Sequence, residues 1–247
     1  MKAVILGGTK GMGRALARRL VEGGHHVFLL GRHEEDLARS VADLSVRGAE
    51  GASQVGSAPC DLEDPETFTG ALDAADTALG GFDTVIVTAG LFAVQARLEA
   101  DAELARRVLT VNFANTVVFC EAARKRLLSR GGGTLCVFSS VAGDRGRKPV
   151  AIYGASKAGL SHYLESLDHK FRGEGLVTVC VKPGFVKTGM TAGLSPPPFA
   201  GTPEAVAAAV LTAIEKRKPL IYTPSAWRWV MWVIRCLPRF VMRRIGF

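Results

Sequence analysis

Two apolar patterns alternate along the chain, and their alternation restricts the fold more than any other feature. Six short runs rich in β-branched and aliphatic residues, "KAVILG", "HVFLLG", "FDTVIVTAG", "TLCVFSS", "LVTVCVKPG" and "PLIYTP", read as strands. Between them, "GRALARRLVEGG", "EEDLARSVADLSVRG", "PETFTGALDAADTALGG", "AELARRVLTVNFANTVVFCEAARKRLLSRGGG" and "YGASKAGLSHYLESLDHKFRGEG" carry apolar residues at three- and four-residue spacing, and most end at glycine, as helices do. Strands that are apolar almost throughout belong in a parallel sheet covered on both faces. The β-α-β rhythm therefore predicts an α/β fold, a single-domain Rossmann-like doubly wound parallel sheet flanked by helices. "TGMTAGLSPPPFAGTPE" forbids a long helix or strand and predicts a mobile loop.

Charge divides the chain in two. The formal net charge is +8, and the eight Lys and Arg residues beyond Glu215, where no acid follows, account for all of it. A neutral body with a cationic end is not the footprint of a nucleic-acid binder, so no nucleic-acid partner is expected. The five cysteines stand widely spaced without metal-ligand spacing and read as buried thiols of a reducing compartment. Strand pattern begins at residue 2, leaving no room for a signal peptide, and no apolar run reaches the roughly 18 to 20 residues of a membrane span. The expected location is the cytoplasm.

The first predicted strand ends in "GGTKGMGRALA", with Gly7, Gly11 and Gly13 at the turn into a helix. Such a turn lets backbone amides and the positive helix end approach a pyrophosphate, which points to a dinucleotide. After the second strand, Arg32 stands where an NAD-preferring site has an acid, and Lys10 lies inside the turn. Two cations there suit a 2′-phosphate, so NADPH/NADP+ is the expected cofactor. In "SSVAGDRGRKPVAIYGASK", Tyr153 and Lys157 fall one helical turn apart, and Ser140 ends a strand thirteen positions before the tyrosine. An ammonium beside a phenol is expected to favour the phenolate and bring this acid nearer to working pH.

With these motifs in place the whole chain resembles the classical short-chain dehydrogenase/reductase family. The resemblance implies Asn112, Ser140, Tyr153 and Lys157 as the catalytic set. It implies a cofactor site of Gly7, Thr9, Lys10, Gly11, Met12, Gly13, Arg32, Asp61, Leu62, Ala89, Gly90, Tyr153, Lys157, Pro183, Gly184, Val186 and Thr188. In that scheme Tyr153 protonates a ketone oxygen as hydride arrives, Ser140 holds the oxygen, Lys157 lowers the tyrosine pKa and holds the ribose, and Asn112 anchors a relay water. The family also implies a homodimer or homotetramer. "VTAG" (Val87 to Gly90) departs from the family's usual pair of asparagines, and "LGGTKGMG" lacks its usual threonine before the first glycine.

Two segments bear on the substrate. "GDRGRKP" places Arg145, Arg147 and Lys148 on a loop at the expected mouth of the site, suited to an anionic substrate or equally to a solvated edge. Residues 225–247 form a basic, aromatic tail beyond a 1–224 catalytic and NADP-binding domain. On a helical wheel Trp229, Trp232, Val233 and Cys236 share one side, with Arg228, Arg235, Arg239 and Arg243 on another, and Pro238 splits the tail into two short helices. An interfacial helix on an anionic membrane surface is one reading; packing on the substrate lobe or a partner subunit is the other. "AGDRGRKPVAIYGASKAGL", "KPGFVKTGMT" and the ending resemble reductases of decaprenylphosphoryl-2-keto-ribose. That resemblance implies a polyprenyl-phosphate-linked 2-keto sugar, a flavin oxidase partner, and a peripheral position at the inner face of the cell membrane. A soluble 3-oxoacyl thioester or secondary-metabolite ketoreductase, and a non-catalytic NADPH sensor or scaffold, stay open beside it.

Overall fold

A computed structural model describes residues 1–48 and 53–246. Strands β1 (Lys2–Leu6), β2 (His26–Gly31), β3 (Val55–Pro59), β4 (Thr84–Val87), β5 (Gly133–Phe138), β6 (Leu176–Pro183) and β7 (Leu220–Thr223) form one sheet in the order β3-β2-β1-β4-β5-β6-β7. Every neighbouring pair is parallel. The predicted doubly wound sheet is present, with β3 as a strand that the apolar patterns did not reveal.

Alternate residues of each strand feed two cores. Val4 and Leu6 point to the layer built by α3 (Thr67–Leu79), α6 (Asn115–Ser129) and α7 (Ala151–Phe171), where Leu72, Phe119 and Leu164 are buried. Ala3 and Ile5 point the other way, to α1 (Gly11–Glu22), α2 (Glu34–Ser45) and α8 (Pro203–Glu215), with Leu20, Leu37 and Val210. The period of two is what sorts one strand between two helical layers.

Two short helices, α4 (Gln95–Ala100) and α5 (Ala102–Leu109), precede α6. The single long helix read from 102 to 133 is broken by a π-helical turn at Thr110–Ala114, a widening that recurs at functional sites. The predicted loop remains irregular up to Thr202, whose hydroxyl accepts from the Ala205 amide and starts α8, with Pro203 in the first helical turn.

Pro238 does split the tail, into α9 (Ala226–Cys236) and α10 (Arg239–Arg244). Met231 and Ile234 are buried beside Val141, with Trp227, Tyr222 and Met242 packed around them. Trp229, Trp232 and Val233 lie on the opposite side, 66%, 63% and 52% exposed. Cys236 is exposed, unlike the other four cysteines, because it belongs to this outer face. Phe247 of the tail lies outside the described residues. No described helix is long and apolar enough to cross a membrane.

Candidate active site

At the carboxyl ends of β1 and β4, where the strand order reverses, the chain forms a cleft of about 370 Å³. Its floor is the glycine turn. Gly7 has φ +91°, and a Cβ there would lie 2.6 Å from the Ala89 amide nitrogen. Gly13 has no space for a Cβ either, since the Gly7 carbonyl and the Thr88 hydroxyl occupy it. Backbone must come this close for the turn to cradle a ligand. The first turn of α1 holds no acid, and Lys10 makes no side-chain cap, so these amides face the cleft uncompensated. Thr88 donates to the carbonyls of Leu6 (3.2 Å) and Gly7 (3.0 Å). The "VTAG" departure thus keeps a hydrogen-bonding tie between β4 and the turn.

The expected Thr9, Lys10, Gly11, Met12, Arg32, Asp61, Leu62, Ala89, Gly90 and Thr188 all line this cleft. Lys10 pairs with Asp36 at 2.7 Å, and Arg32 with Glu63 at 3.1 Å. Both cations are well exposed, so these ion pairs are weak. Gly31 ends β2 and Arg32 follows, which leaves no acid at the ribose position. The shape of the glycine turn fits a dinucleotide, and the cleft lines it with the cations Lys10 and Arg32 beside the acids Asp36, Asp61 and Glu63.

A second cavity, about 590 Å³, adjoins the first through Met12, Thr188 and Met190. Pro183, Gly184 and Val186, expected against the cofactor, line this cavity. Ser140 and Tyr153 stand in its wall. Ser140 caps the turn after β5 by accepting from the Ala142 amide at 3.1 Å. Phe92 meets the Tyr153 ring edge to face at 5.2 Å. Lys157 is 4% exposed, its Nζ donating to the Phe138 carbonyl at 3.0 Å and lying 5.9 Å from the Tyr153 ring centroid.

Burial governs the electrostatics here. It pushes the Tyr153 phenol up to about 12, with the Ser140 hydroxyl opposing. It pushes the Lys157 ammonium down to about 8. The expected acidification of Tyr153 by Lys157 is therefore not what sets this phenol; loss of water outweighs it. Asn112, set by the π-helical turn, is fully buried and spends its amide on Leu91, accepting from its N–H and donating to its carbonyl, both at 2.7 Å. It thereby fixes the backbone after β4, beside the Lys157 ammonium.

The three loop cations separate. Arg145 donates to the Leu237 carbonyl at 2.9 Å and Lys148 to the Arg243 carbonyl at 2.6 Å, at the C-terminal ends of α9 and α10. Cations at helix C-termini complement the dipole, and these two fasten the tail instead of lining the cavity. Arg147 alone of the three lines it.

Sequence reasoning did not single out Trp227 as a wall of this cavity, although packing of the tail on the substrate lobe was one of its two readings. The indole donates to the Phe199 carbonyl at 3.1 Å and covers Gly184, where a side chain would collide with it.

A glycine-cradled cleft beside a wall holding Ser140 and Tyr153, with the Lys157 ammonium buried next to the tyrosine ring, defines a nicotinamide-dependent oxidoreductase. The short chain dehydrogenase model matches residues 1–198, and the chain belongs to that family. It is 35% identical to an uncharacterized oxidoreductase of Mycobacterium tuberculosis over 242 residues, covering 98% of this chain and 96% of that protein. It is 36% identical to an uncharacterized oxidoreductase of Streptomyces coelicolor over 252 residues, covering 98% and 94%. A short-chain dehydrogenase/reductase from Mycobacterium ulcerans shares the fold with a TM-score of 0.81 at 23% identity, covering 89% of this chain and 86% of that one. A variant of actinorhodin polyketide ketoreductase, crystallised with NADPH, superposes with a TM-score of 0.76 at 25% identity, covering 86% and 89%.

Proposed function

We propose that this chain is an NADPH-dependent carbonyl reductase that takes a polyprenyl-phosphate-linked 2-keto sugar from an anionic membrane surface. One observation carries the reading: α9 has its inner face in the wall of the catalytic cavity, through Trp227, while its outer face presents Trp229, Trp232 and Val233 to solvent. Phe240 of α10 adds to the apolar surface at 61% exposure, and Arg228, Arg235, Arg239, Arg243 and Arg244 stand exposed around it. Each cation near an anionic surface contributes about 1 kcal/mol, and tryptophan favours the boundary itself. The same short helix thus connects a place where lipid could be met with the place where a ketone would react.

Bound NADPH supplies the hydride to the carbonyl carbon. Tyr153 gives its proton to the carbonyl oxygen, and Ser140 donates a hydrogen bond to that oxygen. Lys157, positive below about pH 8, holds the ribose hydroxyls and restores the proton to Tyr153. Asn112, with its amide held by Leu91, serves as a positioning residue for the backbone beside Lys157 instead of as the anchor of a relay water. Lys10 and Arg32 release Asp36 and Glu63 to take the 2′-phosphate, which favours NADPH over NADH. A flavin oxidase would generate the ketone by removing hydride from the sugar alcohol. A homodimer or homotetramer belongs to the same proposal, with Leu109, Phe113 and Val118 left partly bare on α5, the π turn and α6.

The likeness to a polyketide ketoreductase favours a second reading, a soluble ketoreductase of thioesters. The deciding assay follows NADPH oxidation with a polyprenylphosphoryl 2-keto-pentose in anionic vesicles, and separately with a soluble 3-oxoacyl thioester. Turnover of the lipid-linked sugar is expected; reduction of the thioester alone, indifferent to vesicles, would replace this proposal with the second.

A further inference from the structure

We infer that Arg147 is the specificity residue of the catalytic cavity and binds an anionic group, a phosphate ester or a carboxylate, carried by the ketone substrate. The inference deepens the carbonyl-reductase reading and rests on it. Arg147 lines the cavity together with Tyr153, six positions later in the chain. Its Nε is buried without a hydrogen-bond partner among the described residues. No described Asp or Glu lines the cavity. The nearest loop acid, Asp144, is taken by Lys182 at 2.6 Å and by the Tyr222 hydroxyl at 2.8 Å.

The guanidinium does not give up its proton under ordinary conditions, so its charge persists where burial disfavours it. Arg145 and Lys148 cannot share the task while they hold the tail. What remains is one half-buried guanidinium with a desolvated, unpartnered Nε, lining a cavity otherwise bounded largely by apolar groups such as Phe92, Val94, Pro149, Leu194 and Trp227. A ligand with an anionic head on an apolar body meets both demands, since the anion partners the cation and the body displaces water from the walls.

The test is calorimetric titration of the NADPH-loaded protein with geranyl phosphate, geranate and geraniol, none of which carries a ketone. Both anions are expected to bind more tightly than geraniol by roughly 10- to 100-fold, the range for hydrogen bonds to charged groups. Arg147→Gln should abolish that preference with NADPH affinity unchanged, Arg147→Lys should keep part of it, and Lys148→Gln should keep all of it. Tighter binding of the phosphate points to a lipid phosphate, and tighter binding of the carboxylate to a keto acid derivative; either supports the inference. Anions binding no better than geraniol, or a preference that survives Arg147→Gln, would overturn it. Failure of the keto-sugar assay with the anion preference intact would sink only the substrate proposed above, and the reverse pattern would sink only the role of Arg147.

Discussion

Lys157 shows how burial sets chemistry at the scale of one side chain. Its ammonium titrates near 8 in the folded chain against an ordinary 10.5, so the folded state binds fewer protons than the unfolded state between those values. Stability contributed by this group therefore rises with pH across that window. Tyr153, raised from 10.0 to about 12, acts in the opposite direction above pH 10, where its stabilising protonated form is progressively lost. Two outcomes follow. The kcat/KM for reduction should fall as pH rises through about 8, and the fall should vanish in a Lys157→Met protein, which also loses most turnover. The same variant should melt higher at pH 7, by about 2–4 °C for each kcal/mol of buried charge relieved; a lower melting temperature would show that the ammonium stabilises the fold. Ser140, Tyr153 and Lys157 were singled out in the sequence by the family resemblance, since a tyrosine and a lysine one helical turn apart mean little by themselves; the fold sets Ser140 and Tyr153 in one wall with the Lys157 ammonium beside the ring. The titration of Tyr153 was not legible there, because desolvation depends on Phe92 and other walls supplied from distant parts of the chain.

Elements were legible where their pattern was their own. Six strands and the long helices carry continuous apolar runs or a clear helical period, and all are present, one of the helices divided by the π turn at Thr110–Ala114. The edge strand β3 reads "VGSAP", with one β-branched residue, because it needs only β2 as a partner and fills little of the core. The π turn at Asn112 leaves helical periodicity almost intact on either side, which hides it. In the tail, Pro238 announced the break between helices, but which face turns inward depends on Val141 and Tyr222. Gly184→Ala tests that packing: the added methyl meets the Trp227 indole, so about 1–3 kcal/mol of strain is expected, read as a lower melting temperature with altered tryptophan fluorescence. Arg32→Ala should weaken NADPH binding by roughly tenfold or more and leave NADH unchanged, measured by fluorescence titration of each cofactor. Equal losses for the two cofactors would remove Arg32 from the phosphate site.

For the whole molecule, the cationic end is more than an appendage. Arg145 and Lys148 fasten it to the loop before α7, and Trp227 closes the cavity, so deleting the tail would remove a wall along with any membrane contact. The charge division was visible in the sequence, whereas the proposed dual use of α9 rests on its placement, with Trp227 in the cavity wall and Trp229 and Trp232 exposed. Exposed residues separate the two roles. Trp229→Ser with Trp232→Ser leaves Met231, Ile234 and Trp227 in place while stripping the outer face. The most direct measurement is NADPH oxidation by the native and doubly substituted proteins, with polyprenylphosphoryl 2-keto-pentose in anionic vesicles and with a short-chain, water-soluble analogue of the same keto sugar. The account predicts that the double substitution lowers the vesicle rate at least tenfold, the loss of about 1.4 kcal/mol of surface binding, and spares the soluble rate. Equal rates of the two proteins on vesicles, or no oxidation of NADPH with either keto sugar, would contradict it.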